Sequence, residues 1–136
     1  MQKRTLCSLF AVLLVLSGCP RVVFVSDRDG RRQIYTSWEN GEFQTNISNN
    51  GYAYEFPDIS PEADRIVFAS QREASGQNLY VMDLAGANLQ PLTSGSGQRT
   101  RPRWAPNDRI AFVFPAASQN AQIWTVKSDG TGLGQA

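Results

Sequence analysis

Phe56-Pro57-Asp58-Ile59-Ser60-Pro61, then Arg65-Ile66-Val67-Phe68-Ala69-Ser70, then Asn78-Leu79-Tyr80-Val81-Met82-Asp83 is a run of three short apolar segments divided by turn-forming residues. Its middle segment is spelled three times in the chain, as Arg21-Val22-Val23-Phe24, Arg65-Ile66-Val67-Phe68 and Arg109-Ile110-Ala111-Phe112, with 44 residues between copies. A fixed period of this size marks stacked supersecondary units, because one unit alone cannot bury its apolar faces.

Other landmarks keep step with that core. Tyr35, Tyr80 and Trp124 follow the three Phe residues inside Gln33-Ile34-Tyr35, Asn78-Leu79-Tyr80 and Gln122-Ile123-Trp124. Pro57 and Pro61 align with Pro102 and Pro106, and Ile47-Ser48 aligns with Leu92-Thr93. A one-residue slip falls in the turn before each core, where loops tolerate variation. Asp29-Gly30, Asn40-Gly41, Ser75-Gly76, Ala85-Gly86 and Asp129-Gly130 supply hairpin turns. Short strands at this spacing, with no amphipathic helix between them, predict an all-β fold. The second unit reads as a four-stranded meander: an inner strand near 56–60, then 65–70, 79–83, and an outer strand near 90–93.

Residues 1–18 follow different physics. Lys3 and Arg4 precede the apolar run Leu6 to Leu16, and small residues close it before Cys19. That is an export signal, too short to cross hydrocarbon, which takes about 20 residues. Leu16-Ser17-Gly18-Cys19 resembles the bacterial lipobox, which implies cleavage before Cys19 and lipidation of that cysteine, with residues 19–20 as the anchor. Several acyl chains hold a protein on a bilayer where one does not. Pro20 in place of Asp resembles the sorting of enteric lipoproteins to the outer membrane.

Without residues 1–18 the chain keeps 118 residues, 11 of its 13 basic side chains and all 12 acidic ones, a formal charge of −1. Such a balance gives no field that recruits nucleic acid. Histidine is absent, and Cys19 is the one cysteine left, so imidazole or thiolate metal sites, disulfides and His-dependent triads are excluded. No cofactor is expected. Asp27-Arg28-Asp29-Gly30 reads as a hairpin, since two carboxylates do not make a calcium loop.

The ordered motifs Phe-Pro-Asp-Ile-Ser-Pro, Arg-Ile-Val-Phe-Ala-Ser, Asn-Leu-Tyr-Val-Met-Asp and Leu-Thr, spread over residues 21 to 133, resemble the TolB-type, WD-like β-propeller repeat. The resemblance implies about 2.7 four-stranded blades over 21–136, near 21–54, 55–99 and 100–136. The first unit begins at its second strand, and the third stops near Leu133, short of an outer strand. Glu62-Ala63-Asp64 and Asn107-Asp108 replace the family's Asp-Gly, so those two turns are expected to differ. Phe24, Phe68 and Phe112, with Val22, Ile66 and Ile110, read as packing between blades. Tyr35, Tyr80 and Trp124 read as repeated core, with a sugar-stacking surface as the alternative.

For function, the resemblance implies a noncatalytic interaction module of the bacterial envelope, exported, lipid-anchored and facing the periplasm. Its expected partners are Pal-like lipoproteins or membrane β-barrel components. Pro alignment places Asp58 and Arg103 at equivalent points of adjacent inner strands, facing each other across the channel wall. That pair reads as structural, or, with Arg101, as a polar lip that receives a partner's peptide or loop. Arg99, Arg101 and Arg103 alternate before Trp104, a pattern that in a strongly basic protein would suggest a nucleic-acid site. An alternative function is the propeller domain of a hydrolase or glycan-acting enzyme, which would need carboxylates brought together from separate blades, such as Asp58 with Glu55 or Asp108. A retaining glycosidase would set them about 5 to 5.5 Å apart. A further alternative is a nonfunctional remnant of a longer propeller. Bare lateral faces would be met by self-association, by a partner, or would reflect a truncated frame.

Overall fold

The computed structural model describes residues 21–115 and 120–136, and the expected export signal, the lipobox-like motif and Cys19 lie outside them. Twelve strands and no helix occur among the described residues. They form three antiparallel meanders, each one blade. The first holds β1 (Arg21–Ser26), β2 (Gln33–Trp38) and β3 (Thr45–Asn46). The second holds β4 (Tyr54–Ile59), β5 (Arg65–Glu73), β6 (Gly76–Asp83) and β7 (Gln90–Pro91), and β8 (Gly97–Gln98) lies parallel to β6. The third holds β9 (Thr100–Ala105), β10 (Arg109–Pro115), β11 (Ala121–Lys127) and β12 (Gly134–Gln135).

The repeated cores occupy matching strands in matching register. Phe24 pairs with Tyr35, Phe68 with Tyr80, and Phe112 with Trp124. Side chains alternate across a strand, so each central sheet serves two neighbours. Ile66, Phe68, Tyr80 and Met82 face the first blade and bury Ile34 and Tyr54. Val67, Ala69, Leu79 and Val81 face the third and pack on Ile110, Phe112 and Val126. Each such Ile or Phe side chain, fully buried, is worth about 1.5–3 kcal/mol.

Two expectations need correction. The third blade does have an outer strand: Gly134 pairs with Thr125 and Gln135 with Trp124, as Gln90 and Pro91 pair with Val81 and Tyr80. The ladder uses the two residues ahead of the Leu-Thr motif, and backbone pairing of that length needs no side-chain signature. Val22 and Phe24 also depart from inter-blade packing. They point to the face of the first blade that no other described blade covers, and Val22 is 44% exposed.

The one-residue slip lies where loop lengths differ. Ser60 N–H donates to Arg65 O across the four-residue loop 61–64, and Ala63 alone there is left-handed. Ala105 pairs with Arg109 across a three-residue loop in which Asn107 and Asp108 are both left-handed, a conformation those residue types tolerate. The two turns do differ in type.

A third turn recurs in all three blades, and in the second and third it lies against the blade before. Gly41, Gly86 and Gly130 donate to the carbonyls of Trp38, Asp83 and Lys127, all at φ near +80°. A Cβ on Gly86 would come 1.9 Å from Ile47 O, whereas one on Gly41 would meet nothing within 4 Å.

Candidate interaction site at the inner strands

Asp58 and Arg103 are brought together as expected. Arg103 Nη1 donates to Asp58 Oδ1 at 3.2 Å. The stronger contacts of Asp58 go elsewhere: Trp104 N–H donates to Oδ2 at 2.8 Å, and Trp104 Nε1 donates to the Asp58 carbonyl at 3.2 Å. Asp58 therefore staples the inner strand of the second blade to that of the third, with Arg103 as a mostly exposed accessory.

Arg101 is set apart by the backbone. Register breaks between Ala111 and Val113 in one blade and between Glu55 and Asp58 in the other, a bulge in each inner strand just before Pro102 and Pro57. Arg101 and Phe56 hold equivalent bulge positions at φ 52° and 53°. Neither is glycine, and residues held in this region cost of order 1–3 kcal/mol and gather at ligand clamps. Both are exposed, and the Arg101 guanidinium lies 5.8 Å from the Phe56 ring centroid.

Beside Phe56 opens a groove of about 520 Å³. Val23, Phe24 and Val25 of β1 form one wall, Glu55, Phe56 and Pro57 of β4 the other, and Arg32 and Arg103 close it. Arg32 pairs with Glu55, whose second oxygen accepts from Gln77 Nε2 at 3.1 Å. β5 and β10 each carry an inner neighbour, β4 and β9, but among the described residues β1 has none. The groove runs along a strand edge whose backbone donors and acceptors meet no other strand among the described residues.

Arg99 does not share a face with Arg101 and Arg103. It is buried, donates to Asn78 Oδ1 at 3.1 Å and to the Gly95 and Ser96 carbonyls, and lies 4.4 Å from the Phe114 ring centroid. Burial lowers its pKa from the ordinary arginine value. This clamp belongs to a repeated device whose role sequence reading missed. Thr93 Oγ1 accepts from Leu79 N–H at 3.0 Å and donates to Asn78 Oδ1, as Ser48 Oγ accepts from Ile34 N–H and donates to Gln33 Oε1. The signal was present in Gln33/Asn78 and Ser48/Thr93 recurring at one phase.

The carboxylates named for catalysis are engaged separately. Asp108 accepts from Arg65 Nη2 at 2.9 Å and from Ser128 Oγ at 2.6 Å, Glu55 is held by Arg32 and Gln77, and Asp58 by Trp104 and Arg103. Among the described residues no His, Cys, Asp or Glu cluster is arranged to hold a metal.

Comparison with known proteins decides the family. The TolB beta propeller domain family matches residues 18–134. The chain belongs to the TolB β-propeller family. Among TolB relatives, the Tol-Pal system protein TolB of Francisella tularensis is 30% identical over 114 residues, covering 80% of this chain and 26% of its own. An uncharacterized protein of Agrobacterium fabrum is 30% identical over 107 residues, covering 69% of this chain and 36% of its own. The chain thus spans about a quarter to a third of these relatives. The structure of a putative TolB from Agrobacterium tumefaciens superposes with a TM-score of 0.75 at 19% identity, over 85% of this chain and 44% of that one. Dipeptidyl peptidase 4 of Porphyromonas gingivalis, at 16% identity, has a TM-score of 0.63 over 83% of this chain and 16% of its own, a likeness of fold alone.

Proposed function

We propose that this chain is a noncatalytic interaction module of the bacterial cell envelope, exported by residues 1–18 and anchored through a lipidated Cys19. Residues 21–136 are its TolB-like propeller portion. The bare edge of β1 and the groove beside it receive an extended segment of a partner protein. The observation that carries this reading is the groove between β1 and β4, where β1 has no inner neighbour among the described residues, with the strained, exposed Phe56 in its wall and Arg101 next to Phe56. A strand added to an exposed edge gains affinity from main-chain hydrogen bonds and specificity from flanking pockets. The lip residues are Arg101, Arg103 and, through its hold on the inner strands, Asp58. The likeness to a Tol-Pal system protein supports an envelope address and makes Pal-like lipoproteins or outer-membrane β-barrel components the first partners to test.

Photo-crosslinking from Val25 in intact envelopes tests the reading. It expects one adduct with such a partner, lost in Arg101→Glu, and release of the chain from membranes in Cys19→Ser. No adduct from Val25, with Cys19→Ser still membrane-bound, would refute it. A second reading, a domain serving a hydrolase, has a likeness of fold to a dipeptidyl peptidase behind it and nothing more. It predicts peptide turnover by the full chain or by a co-purifying hydrolase.

A further inference from the structure

The first and third blades treat one place differently. In the third, the guanidinium of Arg109 fills it: Nη2 donates to Thr125 Oγ1 at 2.5 Å and to the Gly132 carbonyl at 3.3 Å. Register assigns the counterparts in the first blade. Arg109 pairs with Lys127 and Ala111 with Thr125, as Arg21 pairs with Trp38 and Val23 with Thr36. Gly132 corresponds to Phe43, because Lys127 N–H donates to Thr131 O and Trp38 N–H to Glu42 O, one residue earlier in each turn. In the first blade the place is an open pocket of about 180 Å³, lined by Arg21, Thr36, Ser37, Trp38, Phe43 and Thr45. All six belong to one blade. Thr36 lies on the same face of β2 as Ile34, the face turned toward the second blade.

Two features mark the pocket as built for a ligand. Phe43 sits at φ 55°, where the other repeats carry Asn88 at 54° and Gly132 at 64°. Asn and Gly tolerate a left-handed backbone, whereas a phenylalanine there is strained, and such strain gathers at ligand clamps. What the strain secures is an aromatic pair: Phe43 is 55% exposed, and its ring centroid lies 4.2 Å from that of Trp38. The second feature is a buried hydroxyl. Thr36 is 4% exposed, yet its Oγ1 makes no hydrogen bond to a described residue. Arg21 is exposed and does not reach it as Arg109 reaches Thr125. Buried polar groups are nearly always paired, so this hydroxyl is one for a ligand to engage.

We infer that this pocket binds one ring of a pyranose sugar. The C–H face of the ring stacks on Phe43 and Trp38, whose negative π faces attract polarised hydrogens. Sugar hydroxyls, each donor and acceptor at once, pair with Thr36 Oγ1, Thr45 Oγ1 and the Arg21 guanidinium. Thr45 Oγ1 donates to Phe43 O at 3.3 Å and keeps its lone pairs for accepting. Charge selects an uncharged ligand: Arg21 stands against a cation, and Glu39 and Glu42, exposed in the turn that carries Phe43, stand against an anion. The volume lies below the about 300–1,000 Å³ of drug-sized ligand pockets, which suits a single ring. This stacking surface belongs to a turn, away from the buried strand aromatics Tyr35 and Tyr80. It is also separate from the groove beside β4, and either site can fail without the other.

Titration calorimetry of the full chain in mild detergent, with chitotriose and cellotriose as probes, tests the inference. At least one of the two should bind at millimolar concentration, and the preference between them tells an N-acetylated glycan from a plain one. Phe43→Asn is expected to weaken binding about tenfold, and Thr36→Val about three- to tenfold. Neither should lower the melting temperature, because the first relieves strain and the second removes an unpaired hydroxyl. No heat from either sugar at tens of millimolar, binding unchanged in both variants, or melting temperatures that fall in both would each overturn the inference. So would binding of arginine methyl ester in place of the sugars, which would make the pocket a guanidinium site like that of the third blade.

Discussion

Replacing Asp58 separates the strand-joining role of this residue from its ion pair. Asp58 Oδ2 accepts the Trp104 amide at 2.8 Å, a hydrogen bond to a charged acceptor, and such bonds contribute about 1.5–3 kcal/mol net. The Asp58 side chain is 26% exposed, which favours the lower half of that range, while Arg103 is 71% exposed and its pair belongs to the class worth about 0–1 kcal/mol. Asp58→Ala is therefore expected to cost about 2 kcal/mol, Asp58→Asn about 1, and Arg103→Ala no more than about 0.5. Urea unfolding with an unchanged slope measures each value, and a double-mutant cycle should return a coupling below about 0.5 kcal/mol. If Arg103→Ala cost as much as Asp58→Ala, with coupling to match, the ion pair would be the real fastening and the account of the staple would be wrong.

Gly86→Ala and Gly41→Ala share a left-handed backbone, so each bears a conformational cost of about 1–2 kcal/mol. Only Gly86→Ala also forces Ile47 away, and thermal melts should rank it far below Gly41→Ala. Thr93→Val strands the buried Leu79 amide, and Ser48→Ala does the same to Ile34, so the two should lose similar amounts, about 1–3 kcal/mol each, in chemical denaturation. The Tyr35 hydroxyl, and then Asn46, hold the Asp29 carboxyl below its ordinary 3.8. A carboxyl depressed in the folded state stabilises fully above pH 3.8 and loses that contribution as pH falls through the folded value. Acid titration of stability should accordingly be shallower below pH 3.8 in Tyr35→Phe than in the parent, and an unchanged acid limb would disprove the link.

Repetition made most of the architecture legible. The Phe24, Phe68 and Phe112 cores and their aromatic partners announced paired strands, and the slip in spacing announced loops of unequal length. Where the structure departs from the sequence pattern, backbone irregularity or edge effects intervene. Arg99, Arg101 and Arg103 alternate on paper, but a bulge at Arg101 rotates the strand there and sends Arg99 into the joint, and a bulge leaves no compositional mark when its left-handed residue is Arg or Phe. Phe24 is the same residue as its buried counterparts and Val22 is as apolar as Ile66 and Ile110, because pattern reports what a face can pack against and not whether a neighbour is there. The groove is illegible in sequence for a related reason: Val23 to Val25 belong to one blade and Phe56 to the next, and the cleft arises where no described strand lies beside the inner edge of β1.

Because the central strands of neighbouring blades meet through apolar positions that recur at one period, the apolar part of the joint depends little on which repeat supplies either side. In-frame duplication of any stretch one period long, wherever the gene is cut, would insert a sheet whose two faces already have mates. Growth or loss of whole units is therefore a cheaper evolutionary step for this chain than change within one, and its relatives should differ in unit number more readily than in the lengths of their central strands.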